Sequence, residues 1–181
     1  MQKLIFGSSF YTMAELNVKK YQRRAARKKK DLVKFMRKVG KSTTKGILKV
    51  AAEVDQEVWK EVACLDCANC CKKMTPTYTR KDVNRIAAHF KMTYKEFYDK
   101  WLKTDSNKDI INKKTPCQFL GKDNKCTIYS IRPADCAGFP HFTRKDFRYQ
   151  AKEKTIINNI SYCPASLVFI EKLQARIEDD L

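Results

Sequence analysis

A chain of 181 residues has room for one domain with an ordinary core and an appendage, and is too short for two full domains. Its 38 lysines and arginines against 20 acids give a net charge of +18, which suits an acidic partner. Eight cysteines could form disulfides only after export, but the opening apolar run, Leu4-Ile5-Phe6, is too short for a signal peptide, and no stretch approaches the roughly 20 apolar residues of a membrane span. A cytoplasmic protein with reduced thiols is therefore expected.

Thr12 and Glu15 have the form of a capping box, and a helix from Met13 to about Val39 follows. Met13, followed by Ala-Glu-Leu, also reads as an alternative start of translation. Between Lys19 and Lys49 stand 14 basic residues and one acid, Asp31. The apolar positions of this helix are firm only at Leu32, Phe35, Met36 and Val39, so residues 1–43 read as a basic helical extension to a domain over 44–181. Such a block offers a surface for nucleic acid, the ribosome or an anionic membrane; as a plain solvated face it would only aid solubility.

A second helix over 44–62 carries Ile47, Val50, Ala51, Val54, Val58 and Val62 at three- and four-residue spacings and delivers the chain into Cys64. Pro76 keeps the next connection non-helical. Thr79 with Asp82 and Thr93 with Glu96 cap two short helices; the second bears Tyr94, Phe97, Tyr98 and Trp101, a core stripe rather than a base-stacking platform. Residues 104–115 read as a polar loop with an extended piece at Ile110-Ile111. The apolar runs around Gly121-Lys-Asp-Asn124 predict a β-hairpin that closes Cys117 on Cys126. Ser130-Ile-Arg-Pro133 starts a turn or short helix carrying Cys136. Thr143 with Asp146 begins a segment of undetermined state, and Cys163-Pro164 precedes a final helix with Leu167, Ile170, Leu173 and Ile177 buried. The fold expected is mainly α with a small β-hairpin, a metal-stapled single domain plus the basic extension.

Four thiols in eight residues, Cys64, Cys67, Cys70 and Cys71, are not explained by core packing, because a cysteine used as a small hydrophobe has no reason to recur at this interval. The C-x2-C-x2-C spacing lets a turn aim sulfurs at one point, and thiolate is the ligand shared by zinc and iron–sulfur clusters. Cys117, Cys126, Cys136 and Cys163 complete the candidate metal set. With five glycines there is no Gly-rich phosphate loop, and His89 and His141 adjoin no obvious nucleophile, which points away from an enzyme.

The string Cys64, Cys67, Cys70, Cys71, then Cys117-Gln-Phe-Leu, Cys126-Thr-Ile-Tyr, Ile131-Arg-Pro-Ala-Asp-Cys136, Phe139-Pro140 and Cys163-Pro164 resembles the YkgJ-type cysteine-cluster family of zinc- or iron-chelating proteins. The resemblance covers roughly residues 57 to 175 and implies metal binding without choosing the metal. The sequence departs from the family at Ala68-Asn69, where many members have glycine, and at Ala137, where a basic residue is common.

A ferredoxin-type [4Fe–4S] site takes three thiolates from C-x2-C-x2-C and a fourth from a distant cysteine followed by proline. Cys64, Cys67 and Cys70 with Cys163 have that form, leaving Cys71, Cys117, Cys126 and Cys136 for zinc or another cluster; Cys70 and Cys71 can exchange roles in this partition. Structural zinc draws on two C-x2-C pairs, of which one is present, so iron–sulfur ranks above zinc. Arg132 can offset thiolate charge, and His141 is open to ligation or to an ordinary hydrogen bond. The expected role is a redox or accessory protein serving an unidentified protein partner; the alternative is a zinc-stapled adaptor using the basic helix on nucleic acid or ribosome.

Overall fold

The computed structural model describes residues 18–43, 46–143, 146–152 and 155–178. The Thr12–Glu15 capping box and the helix start at Met13 lie outside the described residues, as do Thr44 and Lys45. In chain order the elements are α1 (Val18–Lys41), α2 (Ile47–Glu61), α3 (Cys64–Cys67), α4 (Asn69–Lys73), β1 (Thr77–Tyr78), α5 (Arg80–His89), α6 (Tyr94–Trp101), β2 (Leu102–Thr104), β3 (Ile110–Asn112), α7 (Ala134–Gly138), α8 (Phe147–Lys152), α9 (Thr155–Asn159) and α10 (Pro164–Ile177).

Two hydrophobic clusters organise the chain. The larger joins α1 and α2 to α8, α9 and α10, so its members come from before and after everything else. α1 is not a projecting arm: Ala25, Leu32, Phe35, Met36 and Val39 are buried against this cluster, and Arg24 and Lys28 both pair with Glu171 of α10, at 2.5 and 2.8 Å. The basic middle of the helix packs because Ala25 and half-buried Tyr21 extend the stripe begun by Leu32 and Phe35. Phe142 and Phe169 stack with centroids 3.9 Å apart in the centre. α2 starts after Gly46 at φ 85°, a left-handed conformation that glycine adopts without strain.

The smaller cluster comprises Tyr78, Val83, Ile86, Ala87, Phe97, Leu102, Phe119 and Ile128. Both expected capping boxes are formed, Thr79 with Asp82 on α5 and Thr93 with Glu96 on α6. The aromatic stripe of α6 is core: Phe97 is buried, and Tyr94, Tyr98 and Trp101 pack around its cluster.

The β structure is a three-stranded antiparallel sheet in the order β1-β3-β2. β2 and β3 form a hairpin, with Lys103 opposite Ile111, and β1 adds to the far edge with Thr77 opposite Ile111. The expected extended piece at Ile110-Ile111 is thus its central strand. The hairpin expected over 117–129 is reduced to one bridge, Leu120 to Cys126, with Asn124 left-handed at φ 64°. Around that bridge Gly121 N donates to Lys125 O at 2.8 Å and Thr127 N to Phe119 O at 2.9 Å, while Phe119 N–H and Ile128 N–H favour the thiolates of Cys117 and Cys126. The segment after Thr143 contains two short helices, α8 and α9.

Candidate metal centre

The cysteine strap begins where α2 ends at extended Val62. α3 and α4 are single helical turns joined by Ala68 at φ 49°, which reverses the backbone and brings Cys64 and Cys67 of one turn beside Cys70 and Cys71 of the next. A left-handed alanine costs about 1 kcal/mol relative to glycine. The glycine common in the resembled family suits this conformation. The next residue, Asn69, donates Nδ2 to Tyr162 O at 2.7 Å and so ties the strap to the loop before Cys163.

Three further segments converge on the strap. Cys117 N donates to Cys71 O at 2.8 Å, placing the 117–126 loop against α4. Cys136 sits in α7, whose entry is held by Asp82: this carboxylate accepts Ala134 N at 3.1 Å and Thr79 N at 3.0 Å and pairs with Arg85 at 2.9 Å. Arg85 in turn donates to Arg132 O at 2.9 Å. Asp135 accepts Thr77 N at 3.0 Å and pairs with His141 Nε2 at 3.1 Å. Cys163 precedes Pro164 at the start of α10, with its own N–H on Asn159 O at 2.8 Å.

All eight cysteines line one cavity of about 120 Å³ at the seam between the two hydrophobic clusters. One water needs about 10–15 Å³ of such space, so the cavity has room for more than a single ion. Its other walls are mostly apolar, Val62, Leu65, Met74, Phe119, Ile128 and Phe139 among them. Cys70 Sγ and Cys71 Sγ lie 4.0 Å apart. Among the described residues no three His, Cys, Asp or Glu side chains are already drawn together as a closed single-ion site.

The thiols perturb one another in a definite pattern. Cys70 is pushed far up by its contact with Cys71, by burial and by the charges of Cys71, Cys64 and Cys163, while Cys71 is pulled down by the hydrogen bond from Cys70. Burial followed by the charges of Cys71 and Cys67 raises Cys64. Cys163 is raised to about 11, chiefly by burial and with Cys67 contributing. Burial also raises Cys117, Cys126 and Cys136; Cys71 acts on all three, Cys126 on both of the others, and Cys117 on Cys136. A thiol held up in this way becomes a thiolate when a cation offsets the charge, which is what a bound metal supplies.

The surroundings are built for thiolate. Backbone N–H groups two residues on face the sulfurs of Cys67, Cys117, Cys126 and Cys163, from Asn69, Phe119, Ile128 and Ala165. Asn112 Oδ1 is saturated by Tyr78 Oη at 2.7 Å and Gln118 Nε2 at 3.0 Å. Its buried Nδ2 has no conventional acceptor among the described residues and acts on the Cys117 thiolate. Arg132 favours the charged forms of Cys64 and Cys126, as expected of it, while its guanidinium rests 3.8 Å over the Tyr129 ring. Lys72 does the same for Cys67 and Cys71. The donor set therefore fits a thiophilic metal such as zinc or iron.

The eight cysteines named from the sequence all line this cavity with Arg132, whereas sequence reading missed Asn69, Asp82 and Asn112 as supports; of these only Asp82 carried a signal, its capping position. His141 bonds Asp135, and His89 packs edge-on against Phe90 at 5.1 Å.

A cavity walled by eight thiols from four segments defines a cysteine-cluster metal-binding protein, and the chain belongs to that class: residues 63–164 match the family described as "CxxCxxCC: Putative zinc- or iron-chelating domain". Among curated proteins it is similar to "Uncharacterized protein MJ0661" of Methanocaldococcus jannaschii, 32% identical over 84 residues that make up 43% of each chain. The match thus spans less than half of that relative. No solved structure matches. No described helix is long and apolar enough to cross a membrane.

Proposed function

We propose that this metal-binding chain is an iron–sulfur protein that serves a partner protein as a redox accessory, with Cys64, Cys67, Cys70 and Cys163 as one ligand set and Cys71, Cys117, Cys126 and Cys136 as a second, for zinc or another cluster. The observation that carries the reading is the single cavity, roomier than one ion requires and lined by all eight thiols. Cys71 adjoins both sets, in keeping with its place beside Cys70 in α4. The C-x2-C-x2-C and Cys-Pro pairing adds the ligand form of a [4Fe–4S] site.

A bound cluster would supply one-electron chemistry. The protein's own part is to orient and tune: backbone N–H groups and Asn112 favour the thiolates, Arg132 and Lys72 offset their charge, and the apolar walls limit water. Cys64 is exposed, and the exposed rings of Trp59, Tyr129 and Tyr162 line the same cavity, which makes this face the place for a partner to exchange electrons.

The test is iron, zinc and acid-labile sulfide analysis with absorption and electron paramagnetic resonance spectra on anaerobically prepared protein, repeated for Cys64→Ser, Cys163→Ser, Cys117→Ser and Cys136→Ser. The expected result is iron with sulfide, lost together in the first two variants and retained in the last two. Stoichiometric zinc without sulfide would refute the iron reading and leave the zinc-stapled adaptor in its place. Equal loss in all four variants would refute the partition.

A further inference from the structure

The docking of α1 gives its charges a geometry that the sequence alone does not. With Ala25, Leu32, Phe35, Met36 and Val39 turned into the core, the opposite face of the helix carries Arg23, Arg27, Lys30, Lys34, Arg37 and Lys41, all exposed. Their spacing alternates four and three residues, the helical repeat, so they form one straight row of cations about 27 Å long at 1.5 Å per residue. The helix's single acid, Asp31, is one turn from Arg27 and from Lys34, and Glu171 engages Arg24 and Lys28 beside the row. The row itself remains strongly positive.

We infer that this face of α1 binds duplex nucleic acid through its phosphate backbone. A row of this length is a little under one turn of duplex, about 34 Å. A lipid surface fits less well, because an interfacial helix needs an apolar face to bury in the bilayer. Here that face is already in the protein core, and the largest exposed apolar side chain on α1 is Ala26. A single strand fits less well too, since its bases need aromatic platforms, and both rings of α1, Tyr21 and Phe35, are packed into the core. The partner is thus recognised by charge and rigid shape rather than by sequence. The inference does not depend on which metal the cysteines hold.

The test is fluorescence anisotropy of the full, metal-replete chain with labelled duplex DNA and duplex RNA of about 20 base pairs, roughly two turns, and with single strands, across a salt series. Phosphatidylserine vesicles and a polyglutamate peptide serve as the other arms. Six phosphate contacts predict a log–log salt slope of roughly −5. The triple variant Arg23→Gln, Lys30→Gln, Arg37→Gln should reduce that slope by about three and weaken duplex binding at least ~10-fold, with its metal content unchanged. Lys81→Gln, Lys103→Gln and Lys114→Gln together should leave binding within about twofold, since phosphate contacts count only where they are made. Absence of duplex binding at low salt, equal loss in both triples, or tighter binding to vesicles, polyglutamate or single strands would overturn the inference.

Discussion

The two hydrophobic clusters are closed by different means. The cluster of α1, α2, α8, α9 and α10 holds long apolar stripes, stacked Phe142 and Phe169, and ion pairs from Arg176 to Glu53 and Glu57. The region from Thr77 to Ile131 has a smaller cluster and strands of two and three residues, too short to hold themselves. Its loops reach the larger cluster through the cysteine strap. The contrast teaches that one region is closed by long apolar stripes, whereas the other closes on a small cluster whose loops run into the cysteine cavity.

The strongest way to break this comparison is to remove the metal. Structural metal sites contribute on the order of 10 kcal/mol, so chelation should abolish amide-exchange protection across β1, α5 and β3 while α1, α2 and α10 stay protected. Equal loss in α10 would erase the contrast. Next in size, Phe169→Ala removes a ring packed on Phe142 and Phe147 and should cost about 3–5 kcal/mol by urea unfolding, with metal stoichiometry unchanged.

Asp82→Asn disturbs the acceptor that joins α5 to the Cys136 turn and should cost about 1–3 kcal/mol. Burial works against the Asp82 carboxylate, but hydrogen bonds from Thr79 and Ala134 and the charge of Arg85 outweigh it, so its folded pKa lies below the ordinary value. Its contribution is complete above the usual carboxylate pKa of about 3.9 and is lost as pH falls through the folded value. The stabilities of the two proteins should converge at the acid end. The smallest effect is expected from Ala68→Gly, which relieves the left-handed strain but forfeits a buried methyl and adds chain entropy. A gain under about 1 kcal/mol should appear as a slightly higher Tm.

The sequence showed its structure where a residue type has one cheap use. Thr79, Thr93 and Pro164 marked helix starts because caps and first-turn prolines serve local backbone groups, and the eight cysteines could be picked out because their spacing exceeds what packing requires. What stayed hidden depends on distant partners. The burial of Ala25 needs α10 and its neighbours, which lie far along the chain. β1 and β2 are too short to show alternation. The 117–126 segment looked like a hairpin because its apolar pattern is right, and it closes as a short one, with Gly121 and Thr127 N–H crossing to the facing side while those of Phe119 and Ile128 favour sulfur. Asn112 reads as an ordinary loop asparagine until Cys117 and Tyr78 are seen around it.

The position of Cys163 has a consequence for the order of events during synthesis. The strap from Cys64 to Cys71 leaves the ribosome well before α10 is made, since synthesis runs from the N-terminus. Until then α1 and α2 lack the helices that bury their apolar faces, and the strap lacks the backbone carbonyl of Tyr162 that anchors Asn69. The ring of thiols therefore closes only when the last described helix folds back. Closure of the eight-thiol cavity and final folding become one late event, and a nascent chain carries an open cavity and an unfilled core up to that moment.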